Sequence, residues 1–213
     1  NSILMKTFTN KPGTSKENFN NVPFDESEIK EYRTLQHYIQ SLLRKYPNDV
    51  NKLITCPEGE DQNDWIYASF RQFVQELNFY AYEHRDVSTA ATEPVMEFFV
   101  NGQKISCLSP AYNPPKSVPA IDYITQMIDL STQVCLDPKL FPGGVMTEEG
   151  KLYLETYSRR LYRIFGFSYS CHLDIFEKIE KKTHICERFT KFAKMYNLIK
   201  PDDILIPDSY WSS

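Results

Sequence analysis

The sequence is poor in glycine and lacks any extended apolar run. Only 7 of its 213 residues are glycine, whereas tyrosine and phenylalanine occur 14 times each. Hydrophobic residues make up 41% of the chain and charged residues 24%. This composition excludes a disordered chain and predicts a globular protein with a densely packed aromatic core. At this length one domain is the default, and the apolar stretches are far too short to span a bilayer.

The chain also lacks paired cysteines and a strong charge of one sign. Its five cysteines are widely spaced and form no Cys-x-x-Cys pair, which argues against a disulfide framework and fits a reducing compartment. The 24 Lys and Arg and the 28 Asp and Glu leave a net charge of −4. That balance argues against whole-surface binding to nucleic acid or to an anionic membrane, although it leaves room for a local basic patch. Without a signal-peptide pattern at its start, the chain is predicted to be cytoplasmic.

Catalytic motifs are missing as well. The sequence holds no GxSxG, P-loop, HExxH or protein-kinase pattern. Its four histidines show no ligand-like spacing with a cysteine pair, and the adjacent Cys171 and His172 would fit poorly around one zinc ion. The sequence therefore favours a protein that is not an enzyme and that has no cofactor.

Hydrophobic periodicity predicts most of the secondary structure. Apolar residues recur at helical spacing in five segments, near residues 35–46, 61–80, 120–135, 147–179 and 184–198, and the fourth segment is long enough for a bend. Asn101-Gly102 between two apolar runs predicts a β-hairpin, because both residues tolerate the positive φ of a type I′ turn. The predicted fold class is mainly α, a helical bundle with one small hairpin.

The predicted domain has short flanking segments. Residues 1–27 lack helical periodicity and are predicted to form an extended N-terminal arm. A single helical domain is predicted over 28–207, with a C-terminal tail at 208–213. No internal repeat or low-complexity tract divides the chain.

Acidic residues cluster at the predicted start of the second helix. They are Glu58, Glu60, Asp61 and Asp64, and Asp61 is one candidate for the helix N-cap. Carboxylates at this end of a helix stabilise it by about 0.3–1 kcal/mol each. That is the simplest explanation of the cluster, and contact with a basic partner is the alternative.

Three arginines on one predicted helix form the most distinctive feature. Arg159, Arg160 and Arg163 fall within an arc of about 100°, and apolar residues such as Leu154 and Leu161 occupy the opposite side. Guanidinium groups that point outward together suit a phosphate, whose oxygens accept bidentate hydrogen bonds. The spacing alone favours the simpler alternative, which is a solvated polar face with ordinary salt bridges.

Several segments resemble the Mob family in the same order along the chain. They are CPEGEDQNDW at 56–65, FP at 141–142 and SRRLYRIF at 158–165. Others resemble the phocein branch of that family, namely KPGT at 11–14, RQFVQELN at 71–78, VPAIDY at 118–123 and CERFTKF at 186–192. The resemblance covers about residues 11–207, and it implies a Mob-type helical bundle with a hairpin.

The resemblance implies an adaptor or kinase coactivator and no catalysis. Matching basic positions in the family bind phosphorylated Ser or Thr peptides, so Arg159, Arg160 and Arg163 are expected to do so here. The expected partners are a striatin-type scaffold, a germinal-centre (MST-type) kinase and, indirectly, a phosphatase of the striatin-interacting phosphatase and kinase complex (STRIPAK). Such partners would hold the chain in the cytoplasm, at Golgi or other membranes, or in a cytoskeletal assembly.

Two alternatives stay open beside that expectation. In kinase-activating relatives the acidic helix start meets a basic segment of the kinase, so this chain could be a coactivator of an NDR-type kinase. It could also be a purely structural subunit whose arginines form only salt bridges.

The resemblance also implies a departure from the family. Mob proteins typically hold a structural zinc with two cysteines before the hairpin and two histidines on the basic helix. The matching positions here are Ser88, Glu93, Phe167 and His172, of which only His172 keeps a family ligand. A glutamate and a histidine cannot complete a tetrahedral site. Zinc is therefore expected to be absent, with Phe167 filling the space and Cys171 adding bulk beside it.

Overall fold

A computed structural model describes Ser15, residues 35–100 and residues 102–212. The predicted arm at 1–27 therefore lies, except for Ser15, outside the described residues. The helices are α1 Leu35–Lys45, α2 Val50–Ile54, α3 Gln62–Glu76, α4 Asn78–His84, α5 Ala120–Leu136, α6 Glu148–Cys171, α7 Leu173–Thr183 and α8 Ile185–Met195. Two strands, β1 Glu97–Val100 and β2 Gln103–Ser106, form an antiparallel pair between α4 and α5. The predicted class, mainly α with one hairpin, is confirmed.

The predicted helix cap and the predicted hairpin both occur in the structure. The Asp61 side chain accepts hydrogen bonds from the backbone N–H groups of Asn63 and Asp64, which caps α3 as predicted. Val100 pairs with Gln103 across the hairpin, which agrees with the predicted position of the turn. Gly102 has a φ of 77°, a value that glycine adopts without steric cost.

The longest helix, α6, runs through the centre of the fold. Leu154, Leu161 and Phe165 are fully buried on one side of it, and α6 contacts α5, α7, α8 and β1. Gly166 allows β1 to approach α6 closely. A Cβ at this position would lie 3.0 Å from the Phe98 ring, tighter than ordinary van der Waals contact.

Two predicted helices are divided in the structure. The helix predicted over 61–80 breaks at Leu77 into α3 and α4. The helix predicted over 147–179 ends at Cys171, because His172 adopts φ −140° and ψ 62°. The last helix begins at Ile185 and not at His184, since His184 is in the left-handed conformation with φ 48°.

The C-terminal segment packs against the outer face of α7. The rings of Tyr210 and Trp211 lie 5.7 and 6.4 Å from the Phe176 ring. Lys194 on α8 donates to both carboxylate oxygens of Asp208 at 2.7 and 2.8 Å. Residues 208–211 are therefore held on the domain surface by aromatic packing and by an ion pair.

Candidate functional site

Helix α6 presents the three arginines on the side opposite its buried residues. The helix begins where the Thr147 hydroxyl accepts a hydrogen bond from the Gly150 N–H. Arg159 is exposed, whereas Arg160 and Arg163 are partly buried. The apolar anchor and polar outer face predicted for this helix are therefore present.

Arg160 and Arg163 each have a partner within the chain. Arg160 Nη1 donates to the backbone carbonyl of Leu108 at 3.4 Å. Arg163 Nη2 lies 3.3 Å from the carboxylate of Asp203, and the two side chains are 19% and 20% exposed. Arg163 Nη1 is buried and has no hydrogen-bond partner among the described residues. One of the three arginines is thus ion-paired, as the simpler alternative expected, but only through one of its nitrogens.

The same two arginines lie against a buried thiol and a buried phenol. Burial raises the pKa of Cys107 to about 11, and the charges of Arg163 and Arg160 act in the opposite direction. Burial likewise raises the pKa of Tyr123 well above its usual range, and both arginines again oppose the rise. Arg160 and Arg163 lie about one turn apart on α6 and both lie near Cys107 and Tyr123, so they share one patch of the molecular surface. Arg159 precedes Arg160 by about 100° around the helix and faces solvent.

Sequence reasoning missed two features of this patch. Leu108 is 47% exposed and supplies the carbonyl that holds Arg160. Asp203 lies 40 residues after Arg163 in a short 3₁₀ turn. No periodicity connects either residue to α6, and only the folded chain brings them there.

One residue of the acidic cluster caps α3, and the others do not. Asp61 uses its carboxylate to cap α3, so the helix-start explanation holds for that residue. Burial, followed by the charge of Asp61, raises the pKa of Asp64. Glu58 and Glu60 are exposed like Asp61, but neither of them caps the helix.

The four positions matched to zinc ligands lie together at the C-terminal end of α6. His172 Nε2 is 2.7 Å from Glu93 Oε1 and 3.4 Å from Ser88 Oγ. The rings of Phe167 and His172 are 5.6 Å apart. His84, which sequence reasoning did not select, joins this group, with its ring 5.0 Å from that of His172. Burial, and to a lesser degree His172, lowers the pKa of His84 to about 4, so its imidazole is neutral at neutral pH.

These side chains do not fit a zinc ion. Phe167 offers no donor atom, and it is buried where a second histidine would be needed. The Ser88 hydroxyl is already engaged by His84 Nδ1 at 2.9 Å. Cys171 is exposed and therefore does not add bulk to the interior as the sequence suggested.

In the described part of the chain, one group of three residues places possible metal-ligand atoms within 4.8 Å of one another. It consists of Glu180, His184 and Glu187. Both Glu180 oxygens accept backbone N–H groups, from Cys186 and Glu187, at 2.9 Å. This carboxylate caps α8, so both of its oxygens have a structural role.

The structure defines a mainly helical protein whose longest helix, α6, carries three arginines on its outer face. Residues 40–207 match the Mob1/phocein family, and the chain belongs to that family. It is 34% identical over 200 residues to the protein named MOB kinase activator-like 4 of Drosophila melanogaster, and 32% identical to the MOB-like protein phocein of Caenorhabditis elegans. Each alignment covers 93% of this chain and 88% of the relative.

More distant relatives bear names from other branches. The Maintenance of ploidy protein mob1 of Schizosaccharomyces pombe is 27% identical over 177 residues, which is 79% of this chain and 80% of the relative. These likenesses confirm the family resemblance read from the sequence. Among the described residues, no helix is both long and apolar enough to cross a membrane.

Proposed function

We propose that this chain is a non-catalytic adaptor that binds phosphorylated Ser or Thr peptides on the α6 face formed by Arg159, Arg160 and Arg163. The observation that carries the proposal is that Arg160 and Arg163, three positions apart on α6 and both partly buried, share one face of that helix. Two cations there create a local positive field on a chain whose net charge is negative. The names of its relatives, which include a kinase activator-like protein, support a role beside protein kinases.

The existing contacts of the arginines leave room for a phosphate. Arg160 gives one hydrogen bond to a neutral carbonyl, which is weaker than a hydrogen bond to a phosphate oxygen that carries negative charge of its own. Arg163 makes one ion pair, from Nη2 to Asp203, and its side chain is 19% exposed. A phosphoryl group carries up to two negative charges and three acceptor oxygens. It can therefore engage these guanidinium groups more strongly than their present partners do.

The first experiment measures phosphopeptide affinity directly. A phosphothreonine peptide library and its unphosphorylated counterpart are titrated by fluorescence anisotropy against the parent and against the variant Arg159→Ala/Arg160→Ala/Arg163→Ala. The variant is expected to bind the phosphorylated library about tenfold or more weakly, because it loses several charge-assisted hydrogen bonds. The unphosphorylated library is expected to bind neither protein.

A charge-matched control separates this site from general electrostatics. Arg85, Lys181 and Lys182 are exposed, and replacing all three by alanine removes the same charge elsewhere on the surface. This control is expected to keep the parent affinity. The proposal fails if the two triple variants weaken binding equally, or if the parent does not distinguish the phosphorylated library.

The partners we propose are a striatin-type scaffold and a germinal-centre kinase, as phocein-like members would bind in STRIPAK. The alternative, an NDR-type kinase bound at the start of α3, is favoured by the exposure of Glu58 and Glu60. Affinity purification from native cells, followed by mass spectrometry, tests both with the parent, the arginine variant and Glu58→Lys/Glu60→Lys. Loss of the germinal-centre kinase only in the arginine variant supports the first assignment. Loss of an NDR-type kinase only in the glutamate variant supports the second.

A further inference from the structure

We infer that a metal-free network of hydrogen bonds, centred on His84, joins the loop after α4 to the C-terminal end of α6 at the corner where Mob proteins typically hold zinc. The network consists of five polar side chains from three parts of the chain. They are His84 at the end of α4, Ser88 and Glu93 in the following loop, Ser168 in the last turn of α6, and His172 at its C-cap.

His84 is the centre because both of its ring nitrogens are engaged. Its Nδ1 lies 2.9 Å from the hydroxyl of Ser88, and its Nε2 lies 3.0 Å from the hydroxyl of Ser168. All three residues are fully buried. A neutral imidazole offers one donor and one acceptor, and a hydroxyl can serve as either. The three side chains therefore satisfy one another across 84 residues of sequence.

His172 and Glu93 close the network toward solvent. Their side chains are 19% and 22% exposed and meet at 2.7 Å. His172 also reaches the Ser88 hydroxyl at 3.4 Å, which connects this outer pair to the buried centre. The backbone of His172 leaves the helical conformation here, so the network forms at the point where α6 ends and α7 begins.

The loop is fixed on its other side by the start of α5. The N–H of Ile121 donates to the Ser88 carbonyl at 3.2 Å, and the N–H of Ala120 donates to the Glu93 carbonyl at 3.1 Å. These are first-turn groups that have no partner inside their own helix. Ser88 and Glu93 thus face α5 with their carbonyls and α6 with their side chains, which is the cross-linking role that a structural metal would have.

Phe167 fills the remaining space. It is 1% exposed, and its ring lies 5.4 Å from His84 and 5.6 Å from His172. An aromatic ring in this position contributes packing and excludes water. The neighbouring hydrogen bonds are then shielded, and each becomes costly to lose.

The test compares serines that differ only in their hydrogen bonds. Ser168→Ala and Ser88→Ala each leave a buried His84 nitrogen without its partner. Ser131→Ala is the matched control, since Ser131 is equally buried and its hydroxyl has no hydrogen-bond partner among the described residues. Each network variant is expected to lower the Tm by roughly 3–6 °C, and the control to change it little. Phosphopeptide affinity is expected to be unchanged in all three, so the outcome is independent of the proposed function.

A second measurement concerns the metal itself. Zinc in the purified parent is quantified by mass spectrometry, and its Tm is measured with and without a zinc chelator. The inference predicts zinc well below one ion per chain and a Tm that does not respond to the chelator. One zinc per chain with a chelator-sensitive Tm would overturn it. Equal Tm values for the Ser168→Ala and Ser131→Ala variants would overturn it as well.

Discussion

Two arginine–carboxylate pairs in this protein have similar chemistry and different surroundings. Arg188 on α8 pairs through both Nη1 and Nη2 with Glu76 on α3, and each residue is only 2% exposed. Arg163 on α6 pairs with Asp203 through one nitrogen, and those side chains are 19% and 20% exposed, against 3% and 1% for the side chains of Arg188 and Glu76. The first pair lies in the core, and the second lies at the edge of the basic patch.

The surroundings decide what each guanidinium can do. Arg188 also donates through Nε to the Thr183 carbonyl at 3.0 Å, while Gln72 donates to Glu76 at 3.0 Å. With its neighbours satisfied and no solvent nearby, Arg188 is fixed as part of the scaffold. Arg163 keeps one buried nitrogen without a partner among the described residues, and its side chain is 19% exposed. A carboxylate partner alone does not distinguish a structural arginine from one that can bind a ligand. The distinction depends on how many guanidinium donors are satisfied and on how exposed the pair is.

The largest expected effect comes from breaking the buried pair. Arg188→Met leaves the Glu76 carboxylate buried without its cation, and we expect the free energy of unfolding to fall by about 3–5 kcal/mol. Urea denaturation followed by circular dichroism measures this loss. Phosphopeptide affinity, measured below the unfolding transition, should stay at the parent value.

A double variant controls for packing at the same position. Glu76→Leu/Arg188→Met removes both charges, and apolar replacement of a complete buried pair is often close to neutral. We expect it to regain more than half of the loss. If Arg188→Met lowered the free energy of unfolding by less than about 1 kcal/mol, Arg188 would not be a structural residue.

An intermediate effect is expected at a third carboxylate, which sharpens the comparison. Glu180 is buried like Glu76, but its oxygens accept two backbone N–H groups of α8. Burial raises the pKa of Glu180 to about 7, and the two hydrogen bonds oppose that rise only in part. A carboxyl whose folded pKa lies above its unfolded value of 4.5 binds protons more tightly in the folded state. Its contribution to stability is therefore complete below about pH 4.5 and is lost as the pH rises toward 7.

Between pH 4.5 and pH 7, the contribution of Glu180 to the free energy of unfolding is expected to fall by about 3 kcal/mol. Glu180→Gln cannot ionise, so its unfolding free energy is expected to lack this component of the pH slope. Urea denaturation of parent and variant at several pH values from 4.5 to 8 measures the difference. Parallel pH profiles for the two proteins would show that Glu180 ionises normally in the fold.

Local chemistry made much of this fold predictable from the sequence. The Asp61 cap and the Asn-Gly hairpin depend on residues within a few positions of one another, so their patterns are visible in the chain. The outward position of the α6 arginines follows from helical spacing alone. The family resemblance then supplied a role for those arginines that spacing could not.

The features that sequence reasoning missed depend on distant residues. α6 ends at Cys171 while the apolar pattern continues, and the end coincides with hydrogen bonds from His172 to Glu93, 79 residues earlier. Glu76 and Arg188 are 112 residues apart. A periodic pattern reports which side of a helix is buried, but it does not report which polar groups will meet there. The part of the candidate site that escaped prediction, Asp203 beside Arg163, is of this kind.

The smallest expected effect tests the exposed pair itself. Asp203→Asn removes the carboxylate that competes with a phosphate for Arg163, so phosphopeptide affinity is expected to rise about three- to tenfold. The unfolding free energy is expected to change by less than about 1 kcal/mol, because the pair is partly exposed. Anisotropy titration and urea denaturation of the same preparation give both values. A stability loss as large as that of Arg188→Met, with no gain in affinity, would mean that Asp203 fixes Arg163 as scaffold, and the distinction between the two pairs would then be wrong.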